Sequence, residues 1–396
     1  MVKHRVTILV TWFFLATSYC IAQPIDFTDT TFRFGDNKLI ESIVSFRIVD
    51  SDTLKHGQAF YYYVTNNLWQ KGSYDHGEME GTWETFYPGG TIKRRSIYSN
   101  GLKNGSFVNY YKTGNIQNEG TYVDDSLNGL VTLYYPTSQI QETRFYRKNK
   151  LNGLTTGYNP NGSFNYRFYY VDSVQEGLHE KYYESGSIKE KATIQDQSFI
   201  DTYESYYENG QLEKTYRYKV FNIDGPYKVF HDNGQLMIDA SYVDGKPEGL
   251  WQQYYDDGVL YESGKYLNGK RNGIWHTYYF DSALYMEGQY FSGIAEGNWK
   301  VYHPNGKLKQ SGNFKTGKSD GTWLFYYENG QRQLKGSYTD DLEEGHWVHF
   351  YESGKVKMDL YYKQGYLEGI LTAYDEDGKI VEQAEYVENR LVRQIK

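Results

Sequence analysis

Short runs of apolar and aromatic residues recur along this chain, separated by turn residues. Residues 321–327, Gly-Thr-Trp-Leu-Phe-Tyr-Tyr, read as an aromatic-rich strand. Glu328-Asn329-Gly330 then marks a hairpin turn, because glycine supplies the positive φ that such turns require. A second strand follows, and a Gly or Asp near its end with Asp, Glu or Asn beyond it forms a second turn. No strand is expected to exceed about eight residues, and helical periodicity is absent from the pattern.

The unit recurs every 24 residues. Glycines fall at 57, 81, 105, 129, 153 and 177 and again at 225, 249, 273, 297, 321, 345 and 369, with Asp201 in the one gap. That makes fourteen registers without an insertion. Counting each leading position as zero, +5 is aromatic in all fourteen. Position +17 is aromatic in thirteen, the exception being Ile194, and +9 is Gly in eleven. Position +2 is Trp at 83, 251, 275, 299, 323 and 347. The predicted fold is all-β: an elongated antiparallel meander, or solenoid, of about fourteen β-hairpin repeats.

A turn with two central residues places Tyr at +6 opposite the aliphatic +11. It also places Trp at +2 opposite the frequent Gly at +15, as with Trp251 and Gly264, whose bare backbone the indole would cover. Positions +2, +6, +11 and +17 then share an apolar face, and +3, +12 and +14 a polar one. A three-residue turn with a glycine bulge shifts this register.

Composition sharpens the picture. The 396 residues include 44 Tyr, 40 Gly and 7 Pro, a bias that fits a copied motif better than two or three ordinary domains. A net charge of -8 gives no basic footprint for nucleic acid. The only cysteine, Cys20, excludes a disulfide framework and a cysteine zinc cluster. Lys3, His4 and Arg5, the apolar run from Val6 to Ala16, and Cys20-Ile21-Ala22 before Gln23 form a signal-peptide pattern. The expected organisation is a leader over 1–22, an N-terminal capping segment over 23–56, the repeat array over 57–392 and a tail over 393–396. The mature chain carries no expected transmembrane span, and the expected location is exported: periplasmic, outer-membrane-associated or secreted.

Residues 249–269, GLWQQYYDDGVLYESGKYLNG, resemble the bacterial variant of the MORN repeat, and the resemblance runs from about 57 to 390. Bacterial chains with this repeat resemble those labelled as YwqK-family antitoxin components. MORN proteins elsewhere are associated with scaffolding, oligomerisation and membrane contact. The resemblance therefore implies a hairpin array used for binding. The export signal departs from a cytoplasmic antitoxin.

Candidate chemistry is sparse. Gly312 to Ser319 matches the phosphate-loop pattern G-x-x-x-x-G-K-S, but a strand is expected after it where that loop needs a helix. Acids precede the leading glycine at Glu80, Glu176, Asp224, Glu248, Glu296, Asp320, Glu344 and Glu368, and Asn replaces them at four registers. That alternation fits turn chemistry better than calcium ligation. His231 and His303 stand at +6 as packed ring substitutes, while His346 and His349 fall on opposite faces of a strand. No catalytic, metal or cofactor residues are assigned, and the chain is expected not to be an enzyme.

The leading glycines and +2 tryptophans are assigned structural roles: Gly249 and Trp251, Gly273 and Trp275, Gly297 and Trp299, Gly321 and Trp323, Gly345 and Trp347. The +5 aromatics Tyr254, Tyr278, Tyr302, Tyr326 and Phe350 are candidate ligand-binding rings, since aromatic faces stack on sugars and anchor protein interfaces. The expected role is an exported scaffold for protein–protein interaction at the cell envelope. The alternatives are a module for cell-envelope glycan and an antitoxin-like component.

Overall fold

The computed structural model describes residues 5–8, 27–32, 39–49, 52–219 and 221–396. The leader expected over 1–22 lies outside the described residues, apart from the backbone of Arg5–Ile8, which pairs antiparallel with residues 28–31. The chain divides into two compact units, Met1–Ser198 and Phe199–Lys396. Each is an open antiparallel sheet of consecutive hairpins, and no helix forms among the described residues. Strands pack mainly on their near neighbours in sequence, as a repeat with only local contacts requires.

In the second unit Gly249–Tyr254 pairs with Leu260–Leu267, Lys270–Tyr278 with Leu284–Phe291, and Ile294–Tyr302 with Leu308–Lys315. The first turn of each hairpin has three residues, not two. The Tyr255 N–H donates to the Val259 carbonyl at 2.8 Å, the Gly258 N–H donates to the Tyr255 carbonyl at 3.0 Å, and Gly258 has φ +88°. A type I turn closed by a left-handed glycine gives this geometry. The register slips between Gln253 and Tyr254, so Tyr254 (+5), not Tyr255 (+6), faces Leu260 (+11). An extra residue at +12 absorbs the slip, and Trp251 still stands opposite Gly264 as expected.

The second turn has two residues with positive φ, as at Asn268 (51°) and Gly269 (79°). This type I′ geometry matches the right-handed twist of the strands it joins. Where one hairpin meets the next, Gly273, Ile274 and Trp275 together face the single residue Gly264. The leading glycine sits in this bulge with φ +80° at Gly273. Asp201, the one substitute, adopts φ 55° there, a conformation Asp tolerates better than most side chains.

One face of each sheet carries the core. From Trp251 to Tyr362 the +2 tryptophans alternate with +17 rings, edge to face, at centroid spacings of 5.0 to 6.3 Å. Each such contact contributes about 0.5–1.5 kcal/mol beyond its buried area. The glycine-covering indole differs from expectation. Gly264 is covered by Trp275 of the following repeat, not by Trp251, because the three-residue bulge swings the next +2 side chain over it.

The segment expected as a cap is itself a hairpin. Phe27–Phe32 pairs with Ile40–Val49, which pairs with Asp52–Tyr62, with the same slip beside the first turn. Val44, Ala59 and Trp83 form its buried cluster. At the other end Arg390–Gln394 pairs with Ile380–Val387, so the expected tail over 393–396 begins inside a strand.

Candidate functional site

The face opposite the tryptophan ladder is polar at its centre. Positions +14 and +3 meet in ion pairs, between successive repeats for Lys300 with Glu287 at 2.7 Å and Arg167 with Glu180 at 3.1 Å, and within one repeat for Lys228 with Asp239 at 3.2 Å. The hydrogen bond from Lys300 holds the Glu287 carboxyl below the usual carboxylate range.

The +5 rings lie on this same face, as expected. The Tyr302 hydroxyl donates to Glu287 Oε1 at 3.0 Å, and burial followed by that carboxylate raises its pKa. Tyr254, Tyr278, Tyr302, Tyr326 and Phe350 are all half-buried. The +11 side chains fill the gaps between them, not the apolar face expected. Phe164 packs at 5.4 Å on Tyr182 of the next repeat, and the Arg332 guanidinium lies 5.8 Å over the Phe350 ring. The register slip causes this, since opposed residues in an antiparallel pair point to one side. Beside Tyr254, at the turn end of its hairpin, a shallow cleft of about 410 Å³ opens among the +4, +6 and +12 side chains, lined by His231, Met237, Gln253, Tyr255, Asp256 and Tyr261.

Sequence reasoning missed what fixes this row. Tyrosine hydroxyls at +6 donate to the +5 carbonyl of the next repeat: Tyr255 to Tyr278 at 3.1 Å, Tyr279 to Tyr302 at 2.9 Å, Tyr327 to Phe350 at 2.8 Å. His231 and His303, read as ring substitutes at +6, set Nε2 3.1 and 2.9 Å from the carbonyls of Tyr254 and Tyr326. The signal was the recurring aromatic doublet at +5 and +6, whose second ring has a polar end.

A second row on this face is apolar. Positions +18 and +1 expose Val243 (51%), Leu250 (53%), Leu267 (50%), Ile274 (60%) and Phe291 (68%). Their alternation with the +17 and +2 rings of the core face puts them on the side of the ion pairs.

The remaining motifs resolve into structure. The acids before the leading glycine accept turn N–H groups: Asn268 to Glu248 at 2.7 Å, Thr316 to Glu296 at 2.8 Å, Gln364 to Glu344 at 2.8 Å. Gly312 to Ser319 spans a type I′ hairpin turn and runs into the strand Lys318–Tyr326, not a helix. His346 bonds Asp359 and stacks on Tyr361, while burial lowers the pKa of His349. The sequence showed no histidine constellation, yet the fold gathers His56, Asp75 and His76.

The profile of the MORN repeat variant matches residues 79–100, 103–124, 175–196, 202–219, 223–244, 247–268, 295–316, 319–340, 343–364 and 367–388, more than half of the chain. The chain belongs to the MORN repeat variant family. The unmatched registers of this MORN chain, such as that led by Gly273, keep the same hairpin pairing. Among solved structures, a crystal structure of TcdB2-TccC3-TEV is 14% identical, with 91% of this chain covering 20% of that one at a TM-score of 0.17. The Photorhabdus luminescens Tc holotoxin pore is 13% identical, with 93% covering 28% at 0.13. The chain thus spans about a quarter or less of those proteins, and scores this low carry no argument. No curated protein matches the sequence.

Proposed function

We propose that this MORN-repeat chain is an exported, non-enzymatic scaffold that binds a protein partner at the cell envelope. The observation that carries the reading is the exposed row from Val243 to Phe291, five large apolar side chains on the face that also carries the ion-paired +3 and +14 positions. Apolar side chains repeated on an exposed face mark protein interaction sites. The leader pattern over 1–22 supports export.

The test is affinity capture of the tagged protein from cross-linked cells, compared with a Leu250→Ser, Ile274→Ser, Phe291→Ser variant. A dominant protein partner lost from the variant supports the reading. A partner retained by the variant overturns the assigned face, and recovery of polysaccharide in place of protein moves the site to the Tyr254 cleft. That second reading, glycan binding, is favoured by the cleft's mixture of rings with Gln253 and Asp256. A glycan panel that leaves the intrinsic fluorescence unchanged would exclude it.

A further inference from the structure

We infer that His56, Asp75 and His76 form a binding site for one divalent transition-metal ion, Zn²⁺ being the class that fits the donor set. His56 sits just before the leading Gly57, and Asp75 and His76 sit at +18 and +19 of the same hairpin. Their ligating atoms lie within 4.8 Å of one another. Both histidines bring Nδ1 close to the same atom: Asp75 Oδ1 is 3.1 Å from His56 and 2.8 Å from His76. The two rings stand nearly perpendicular, with centroids 5.4 Å apart.

The repeat itself shows what is unusual here. At the other registers, Ile200 apart, the residue before the leading glycine is an acid or Asn, and acids there such as Glu80, Glu248 and Glu296 accept the +19 N–H, Glu80 from Asn100 at 2.9 Å. At the first register the acid is replaced by His56 and the +19 residue by His76, so two imidazoles meet where a carboxylate would cap the turn. His56 Nδ1 is buried and makes no hydrogen bond, since its approach to Asp75 is misaligned. A buried ring nitrogen without a hydrogen bond is costly. Two imidazole nitrogens and a carboxylate oxygen converging on one point are the ligand types Zn²⁺ takes, with a fourth position left to water. The ion would tie the first strand of the array to its closing turn, replacing the carboxylate cap of later repeats.

The test is calorimetric titration of the full chain with ZnCl₂, alongside His56→Asn and His76→Asn variants. Asn already stands before the leading glycine at 104, 128, 152 and 272 and tolerates the positive φ of a turn, so both variants keep the fold. His346→Asn, away from the cluster, is the control. The expected result is one saturable site, weakened at least tenfold in both variants and unchanged in the control. With Co²⁺ in place of Zn²⁺, the wild type should develop visible d–d absorption that both variants lose. The absence of saturable binding, or equal binding in the His56→Asn and His76→Asn variants, overturns the assignment.

Discussion

The indole of Trp275 lies against the backbone of Gly264, one repeat earlier, so closely that a Cβ on Gly264 would stand 2.1 Å from its Cδ2. The same relation joins Gly72 to Trp83, Gly288 to Trp299, Gly312 to Trp323 and Gly336 to Trp347. Glycine at +15 is therefore a packing requirement of the next tryptophan. Gly264→Ala should destabilise the protein by about 1–3 kcal/mol, the usual cost of overpacking. Thermal melting of Gly264→Ala, Trp275→Phe and the double variant checks this. The double variant should lose less than the sum of the two, because a smaller ring makes room. Strict additivity would refute the contact.

The hydroxyl ladder at +6 predicts a smaller and different effect. Tyr279→Phe removes the bond to the Tyr302 carbonyl and nothing of the ring. A loss of about 0.5–1.5 kcal/mol is expected. Amide exchange should quicken near Tyr302 and stay unchanged near Trp347. A uniform change along the array would mean that the hydroxyl does not act locally.

The two kinds of surface should separate cleanly under mutation. Leu250→Ser, Ile274→Ser and Phe291→Ser each remove a half-exposed side chain, and each should shift stability by no more than about 0.5 kcal/mol. Trp275→Ala empties a site only 3% exposed and should cost about 3–5 kcal/mol. Chemical denaturation of the four variants measures this. A serine variant as damaging as Trp275→Ala would show that the exposed apolar row is core and withdraw it as an interface.

The period, the strands, the Trp251–Gly264 pairing and the polar +3 and +14 row were legible, because each rests on a residue type recurring at one position. Turn length was not. Asn329-Gly330 reads as a two-residue turn, but Asn329 Oδ1 accepts the Gln331 N–H at 2.7 Å and its Nδ2 donates to the Glu352 carbonyl at 3.1 Å. Those bonds belong to a three-residue loop, and the same dipeptide serves both geometries. One residue of slip then moved +11 to the side of +5 and misassigned its face. The candidate rings were found by their repetition. The +6 bonds escaped because each acceptor is a backbone atom 23 residues away, which leaves no mark on the sequence. His56 and His76 escaped because they occur together once, at the −1 and +19 positions whose proximity only the pairing reveals.

The tyrosine-rich core predicts an alkaline limit to stability. Burial, then a hydrogen bond with Tyr61, raises Tyr74 to about 12. Burial also raises Tyr227, Tyr242, Tyr338 and Tyr362. A phenol is neutral when protonated, and its ordinary pKa near 10 applies in the unfolded chain. The folded state therefore holds these protons more tightly. Their stabilisation is complete below about pH 10 and is lost as pH rises through the folded values. Absorbance at 295 nm, followed with circular dichroism, should show a first group of exposed tyrosines ionising near pH 10 while the strands persist. A second group should ionise later, together with loss of the β signal. Tyr74→Phe should move that second transition to higher pH, because one group favouring the unfolded state at high pH has gone. Ionisation of every tyrosine near pH 10 with an unchanged dichroism spectrum would contradict the packing of the +17 row.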